Sequence, residues 1–159
     1  MPIMKGSCHC GAVRFEVQSH TRHPYMRCYC SICRKQAGGG GYAINLRGEM
    51  PTMKVEGRES LTVYRATIEG ERSSAERSFC KHCGTALWLF DPSWPDLVHP
   101  FASAVDTPLP RPPETVHLML DFKPDWVEVA GPDAANVHFP RYPELSIEDW
   151  HRKHGLWEA

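Results

Sequence analysis

The chain of 159 residues has a formal net charge of −1 at pH 7 and a charged fraction of 23%. This length is typical of one domain, and the balanced charge argues against the basic face of a nucleic-acid-binding protein. No apolar run approaches the roughly 20 residues of a membrane span, and residues 1–5 (MPIMK) contain no apolar signal segment. We therefore expect one cytoplasmic domain over residues 1–159, with neither nucleic acid nor membrane as a partner.

The N-terminal part of the chain begins with a cysteine knuckle and a strand. Residues 6–11 (GSCHCG) predict a tight turn, because the flanking glycines let the backbone direct both sulfurs to one point. Apolar and polar residues alternate over residues 12–17 (AVRFEV), which predicts a half-buried strand. A connection over residues 20–26 leads to residues 28–33 (CYCSIC), which place three thiols in six positions.

The rest of the chain indicates short strands and little helix. Residues 80–84 (CKHCG) predict a second knuckle of the zinc-ribbon type, and the prolines after Asp91 exclude a long helix in that region. Ser146 is a candidate N-cap for a short helix that ends near Lys153. The predicted strands cover residues 42–46, 60–65, 85–90, 98–105, 115–121 and 127–129, with a loop or weak strand at 50–57 and a turn at Glu69-Gly70. We expect a mostly β domain of short antiparallel sheets with cysteine knuckles.

The seven cysteines of the chain all lie in short-spaced clusters. An odd number cannot pair completely in internal disulfides, and clustered cysteines in a reducing compartment are more often metal ligands. A closed structural zinc has four protein ligands, whereas a catalytic zinc usually has three and one open position. The favoured partition is a structural site of Cys8, Cys10, Cys80 and Cys83 and a catalytic site of Cys28, Cys30 and Cys33.

The spacing leaves one other partition and one other metal open. Cys80 and Cys83 can instead join part of the triple cluster, which would leave Cys8 and Cys10 without a site. Sites made only of thiolates suit zinc or iron, but an iron–sulfur cluster normally takes four thiolates. Three cysteines on one short segment therefore favour zinc, and the prediction is two Zn²⁺ per chain.

An open three-cysteine site favours sulfur chemistry. Three thiolates leave a bound zinc with a net charge of −1, which makes it a weak Lewis acid and suits it to a fourth sulfur ligand. A small thiol arriving at the metal would lose its proton. Arg34 and Lys35 are candidates to contact a substrate carboxylate, and the run Gly38 to Gly41 is a candidate to let a peptide-like substrate approach the backbone. The proton can come from solvent, from His9 or from another histidine, although His9 lies between Cys8 and Cys10 and we expect its side chain to point away to the surface.

Three segments of the chain resemble the glutathione-dependent formaldehyde-activating enzyme (GFA) family, which includes centromere protein V-like members. They are residues 6–15 (GSCHCGAVRF), 28–35 (CYCSICRK) and 79–85 (FCKHCGT), and the resemblance extends over about residues 4–130. The resemblance implies the β-tent fold, the partition favoured above, and formation of S-hydroxymethylglutathione from glutathione and formaldehyde, formally a carbon–sulfur lyase activity. Residues 131–159 are then a C-terminal extension with a short helix.

Two other functions fit the same cysteines. A non-catalytic zinc-binding interaction module would have a blocked fourth position at the triple cluster. A thiol redox sensor would release zinc and form a disulfide among Cys28, Cys30 and Cys33 on oxidation.

Overall fold

A computed structural model of the chain describes residues 1–37 and 39–159, and it is mostly β. Gly38, the first residue of the glycine run, lies outside the described residues. The two helices of the described part are short, at seven residues each. In chain order the elements are β1 (Ile3–Ser7), β2 (Arg14–Gln18), β3 (Met26–Cys28), α1 (Ser31–Ala37), β4 (Ala43–Ile44), β5 (Gly48–Glu49), β6 (Lys54–Glu56), β7 (Leu61–Tyr64), β8 (Thr67–Ile68), β9 (Glu71–Arg72), β10 (Glu76–Cys80), β11 (Ala86–Phe90), β12 (Leu97–Pro100), β13 (Thr115–Leu118), β14 (Asn136–His138) and α2 (Ile147–Lys153).

The strands form small sheets. An antiparallel sheet has the order β1-β2-β6, a second has the order β5-β12-β11-β10-β7, and β8 and β9 form a hairpin. The remaining sheet, β14-β13-β3-β4, is mixed, because β13 runs parallel to both β14 and β3. Parallel pairing needs a long connection between the strands, and most of the chain lies between β3 and β13. The expected antiparallel pairing is found in the other sheets.

Most of the predicted strands are confirmed with shifted ends. Strands β2, β7, β11, β12 and β13 lie within or within one residue of the predicted ranges, and the turn at Glu69-Gly70 joins β8 to β9. The predicted C-terminal helix is also confirmed. Its N-cap is Ser146, whose Oγ accepts a hydrogen bond from the Asp149 N–H at 3.0 Å.

One predicted strand is wrong, and several elements lack a clear sequence pattern. Residues 127–129 form a loop, because the Lys123 ammonium donates hydrogen bonds to the Pro124 and Val127 carbonyls, at 3.2 and 2.8 Å. The second half of the predicted strand 98–105 is a 3₁₀ turn at Ala102–Ala104. Helix α1 and the strands β1, β3, β10 and β14 were not predicted.

The buried side chains form two hydrophobic clusters, and each contains cysteines of one group. The first cluster lies around β2, β11 and β12 and includes Cys8 and Cys80. The second lies around β3, β4 and β13 and includes Cys28 and Cys33. Each cysteine group is therefore anchored in its own part of the core.

The last residues of the chain pack onto the second cluster. The Trp150 ring of α2 stacks on Tyr25 with centroids 3.8 Å apart, and both are almost fully buried. Glu158 accepts two hydrogen bonds from the Arg22 guanidinium, at 2.7 and 2.8 Å. These contacts fasten residues 136–158 to the sheet that contains Cys28. Neither helix of the described chain has the length and apolar character that crossing a bilayer would require.

Gly57 provides a test of the contact between β6 and the first knuckle. Its φ is +81°, and a Cβ there would lie 1.8 Å from the Ala12 carbonyl oxygen. Gly70 has a similar φ of +82°, but a Cβ there would meet nothing within 4 Å. We expect Gly70→Ala to cost about 1–2 kcal/mol for the left-handed backbone, and Gly57→Ala to cost roughly 3 kcal/mol or more because a steric clash is added. Urea unfolding measures both; equal losses would contradict the described packing.

His151 provides a test of stability against pH. Its Nδ1–H donates to the Ile147 carbonyl at 2.8 Å, and its Nε2 accepts from the His23 N–H at 3.2 Å, so the neutral ring is required. Burial lowers the pKa of His151 from 6.5 to about 4. At a pH between these two values, His151 binds a proton in the unfolded chain but not in the folded chain. The free energy of unfolding therefore decreases as the pH falls from 6.5 towards 4.

We expect the midpoint of urea unfolding to fall over this pH range in the wild type and to fall less steeply in His151→Gln. The slope will not vanish, because burial also lowers the pKa of His23, and the Arg22 guanidinium lowers the pKa of Glu158. An unchanged slope in the variant would show that His151 does not hold a depressed pKa.

Candidate metal centres

The first cysteine group is built from two backbone knuckles. In the first, the Gly11 N–H donates to the Cys8 carbonyl at 3.0 Å, and Gly11 has a φ of +79°. In the second, the Gly84 N–H donates to the Cys80 carbonyl at 2.8 Å, and Gly84 has a φ of +77°. Both turns need a positive φ directly after the second cysteine, which glycine adopts without strain. The His9 N–H donates to Thr85 Oγ1 at 3.1 Å and joins the knuckles.

The four sulfurs of Cys8, Cys10, Cys80 and Cys83 lie within 4.8 Å of one another. The Cys8 and Cys10 sulfurs are 3.6 Å apart, and the Cys10 and Cys80 sulfurs are 3.7 Å apart. A tetrahedral zinc with bonds of about 2.3 Å has sulfur ligands about 3.8 Å apart, whereas a disulfide would need about 2 Å. The donor set and its spacing therefore fit a four-coordinate metal, and all four thiols are free.

The second group is formed by the end of β3 and the start of α1. The sulfurs of Cys28, Cys30 and Cys33 lie within 4.8 Å of one another, and the described residues contribute no fourth His, Cys, Asp or Glu to the group. The Cys33 N–H donates to the Cys30 sulfur at 3.3 Å, and the Arg34 N–H closes the first helical turn on the Cys30 carbonyl at 3.0 Å. Residues 28–33, here called the metal loop, thus include the start of helix α1, which directs Cys33 back towards Cys28.

Contacts among the three thiols of this group shift the pKa values of Cys28 and Cys30 in opposite directions. Hydrogen bonds from the Cys28 and Cys33 thiols lower the pKa of Cys30 far below its usual range. The same contact with Cys30 raises the pKa of Cys28. Cys28 and Cys33 are buried, while Cys30 is half-buried. Such a set can accept a thiophilic cation and leave one coordination position to an incoming ligand.

A buried hydrogen-bond chain fixes the residue between two of these cysteines. The Tyr29 hydroxyl lies 2.8 Å from His117 Nδ1, and His117 Nε2 lies 2.9 Å from Asn136 Oδ1. Burial lowers the pKa of His117, so the ring is neutral, with Nε2–H donating to Asn136 and Nδ1 accepting from Tyr29. Both ring nitrogens are occupied, so His117 positions Tyr29 and does not serve as a free base. The sequence pattern does not predict this hydrogen-bond chain, because its members lie far apart in sequence.

The other candidate residues are distributed more widely. His9 is exposed beside the four-cysteine group, and His82 is exposed with its Nε2 3.1 Å from the Ser60 hydroxyl. Lys35 is exposed on α1, whereas Arg34 Nε is buried and has no partner among the described residues. A further cationic side chain, Arg77, contacts Cys33. No cysteine or glycine pattern surrounds Arg77 in the sequence, so the sequence does not predict it as a site residue.

Known proteins similar to this chain identify its family. Residues 3–119 match the sequence model of the family described as glutathione-dependent formaldehyde-activating enzyme. The chain belongs to this family. A relative from Halomonas elongata is 58% identical over 157 residues, and the match covers 99% of this chain and 99% of the relative. The relative has the provisional name of a glutathione-dependent formaldehyde-activating enzyme.

A solved structure extends the comparison to the fold. A crystal structure of a Rhodobacter sphaeroides protein has 30% sequence identity and a TM-score of 0.52, and the match covers 67% of this chain and 92% of that one. The family match ends at residue 119, so β14 and α2 lie beyond it, although the Halomonas relative spans them.

Two cysteine substitutions distinguish the roles predicted for the two groups. We expect Cys30→Ser to lower the bound zinc from two ions to one and to preserve the far-ultraviolet circular dichroism. We expect Cys80→Ser to remove the fold, because a structural zinc contributes roughly 10–16 kcal/mol. Metal analysis of the purified variants and thermal unfolding measure both effects. Unfolding of Cys30→Ser would instead assign a structural role to the triple cluster.

Proposed function

We propose that the protein catalyses the addition of the glutathione thiol to formaldehyde. The sulfur bonds to the carbonyl carbon, the carbonyl electron pair moves to oxygen, and that oxygen takes up a proton as the thiol loses one. The product is S-hydroxymethylglutathione, and the reverse reaction is a carbon–sulfur lyase step. The observation that supports this function best is a group of three cysteines with no fourth side-chain ligand in the described part of a chain of this family.

We propose two zinc ions per chain, one held by Cys8, Cys10, Cys80 and Cys83 and the other by Cys28, Cys30 and Cys33. The all-thiolate donor sets favour zinc over harder cations. When bound at the three-cysteine group, zinc supplies an open coordination position that favours the thiolate form of a substrate sulfur. The four-cysteine group offers no such position, because its four protein sulfurs complete a tetrahedron.

The groove beside α1 is the proposed place for the peptide part of the substrate. Its volume is about 290 Å³, and it is lined by residues that include Gly39, Gly40 and Tyr42 at the end of the helix that contains Cys33. Residues without side chains let an extended peptide approach the backbone closely. Ala43 also lines the groove and pairs with Cys28, which brings the groove next to the metal loop.

Arg34 is the proposed contact for a substrate carboxylate. It follows Cys33 on α1, and its Nε is buried without a partner among the described residues. A buried guanidinium N–H without an acceptor is costly, and a carboxylate would satisfy it. His117 is neutral and occupied, so we propose that the protons are exchanged with solvent at the half-buried Cys30 side of the group. The free thiols also fit the reducing cytoplasm, where we place the protein.

Exchange spectroscopy on ¹³C-labelled formaldehyde with glutathione tests this function. The uncatalysed adduct forms in solution, so the measured quantity is the rate of exchange between free formaldehyde and the adduct. We expect the zinc-loaded protein to raise this rate, and Cys30→Ser to return it to the protein-free value. The Arg34→Gln variant is expected to raise the concentration of glutathione needed for half the effect, with 2-mercaptoethanol as a control thiol that has no carboxylate.

The outcomes separate the candidate functions. No acceleration by the wild type, with glutathione bound, would favour an interaction module over an enzyme. Reversible loss of one zinc on oxidation, with a disulfide among Cys28, Cys30 and Cys33, would favour a redox sensor.

A further inference from the structure

Arg77 is a buried cation beside the three-cysteine group. It lies on β10 between Tyr64 of β7 and Leu89 of β11, and its relative exposure is 8%. Its Nη1 donates to the Cys33 sulfur at 3.7 Å. The contact joins residues that are 44 positions apart, so it is a tertiary feature that the cysteine spacing does not encode.

The burial of Arg77 requires a negative partner. Removing a guanidinium from water is costly unless an opposite charge or several acceptors replace the water. Among the described residues, Arg77 takes part in no ion pair with a carboxylate, and its contact is with Cys33. A neutral thiol is a weak acceptor, whereas a thiolate provides the missing charge.

The charges of the group and of Arg77 are complementary. Three thiolates around a divalent cation have a net charge of −1, and the adjacent guanidinium brings the buried assembly to neutrality. Without the guanidinium, an uncompensated negative charge would lie in the second hydrophobic cluster, which contains Cys28 and Cys33. The four-cysteine group has less need of such a partner, because Cys10 and Cys83 are exposed to water.

We propose that Arg77 is a positioning residue for the three-cysteine centre, where its guanidinium balances the charge of the metal-bound thiolates and holds the Cys33 sulfur in place. The inference rests on the proposed occupancy of this centre by metal, and it does not depend on the identity of the substrate. Arg77 also lines a groove of about 200 Å³ with Gln36 and Gly84. A planar fork can serve sulfur and water at once, which a lysine ammonium does less well.

Competition of a chelator with the metal-loaded protein, in which Co²⁺ replaces zinc at the three-cysteine centre, tests the proposal. We expect Arg77→Met to weaken binding of the metal at the three-cysteine centre by about 10–100-fold, the range typical of outer-shell partners. The sulfur-to-cobalt charge-transfer band of that centre should move to lower energy, because the positive charge nearest the Cys33 sulfur is lost. Arg77→Lys should restore part of both effects, since it keeps the charge without the fork.

The four-cysteine centre and an exposed arginine serve as controls. Cys80 lies on the same strand as Arg77, so damage to β10 would also weaken the first centre. We expect that centre to keep its affinity in both Arg77 variants. Arg72→Met, at an exposed position of β9, should match the wild type at both centres.

Three results would overturn the proposal. An unchanged affinity and band position in Arg77→Met would show that the charge of Arg77 does not act on the metal centre. An equal loss of affinity at both centres would make Arg77 a general stabiliser of β10. A wild-type protein that binds a single metal ion would overturn the proposed metal occupancy together with this inference, whereas the first two results would leave that occupancy intact.

Discussion

The structure depends on four sulfurs meeting at one point. Cys10 and Cys80 are 70 positions apart, yet their sulfurs lie 3.7 Å from each other. This closure fixes the end of β10, and β10 pairs with both β7 and β11 in the middle of the largest sheet. Arg77 lies three positions before Cys80 on the same strand and contacts the second group through Cys33. The register of β10 therefore places Cys80 in the four-cysteine group and Arg77 beside the three-cysteine group.

The two cysteine groups differ in burial. The four-cysteine group, which has a complete set of sulfurs, is the more exposed, and the three-cysteine group is the more buried. The four-cysteine group has two exposed and two buried cysteines, while the three-cysteine group has two buried cysteines and one that is half-buried. A closed site tolerates water because its ligand set is already complete. An open site within an apolar cluster strengthens electrostatic interactions and restricts which ligands arrive. Cys30 is half-buried, and the groove beside α1 is lined by Ala43, the residue that pairs with Cys28.

The sequence predicted the features that local pattern controls. Alternation located β2 and β7, a continuous apolar and β-prone run located β11, and the Ser146 cap located the start of α2. Local pattern did not indicate β3 and β14, which are three residues long and exist because β13 lies between them. The cysteine clusters predicted which sulfurs meet, although spacing alone allowed another partition. The contact of Arg77 and the hydrogen-bond chain that joins Tyr29, His117 and Asn136 were not predicted. Contacts between polar residues that are distant in sequence produce no periodic pattern.

The parallel pairing of β13 with β3 sets an order of assembly during synthesis. The first centre needs residues only as far as Cys83, so it can close while the C-terminal half is still being translated. The second centre contains earlier cysteines, but Cys28 pairs with Leu118, and its hydrophobic cluster includes Trp150. Cys28, Cys30 and Cys33 thus leave the ribosome long before their surroundings exist. The three thiols therefore remain accessible to other metals and to oxidants until the last helix packs against this cluster.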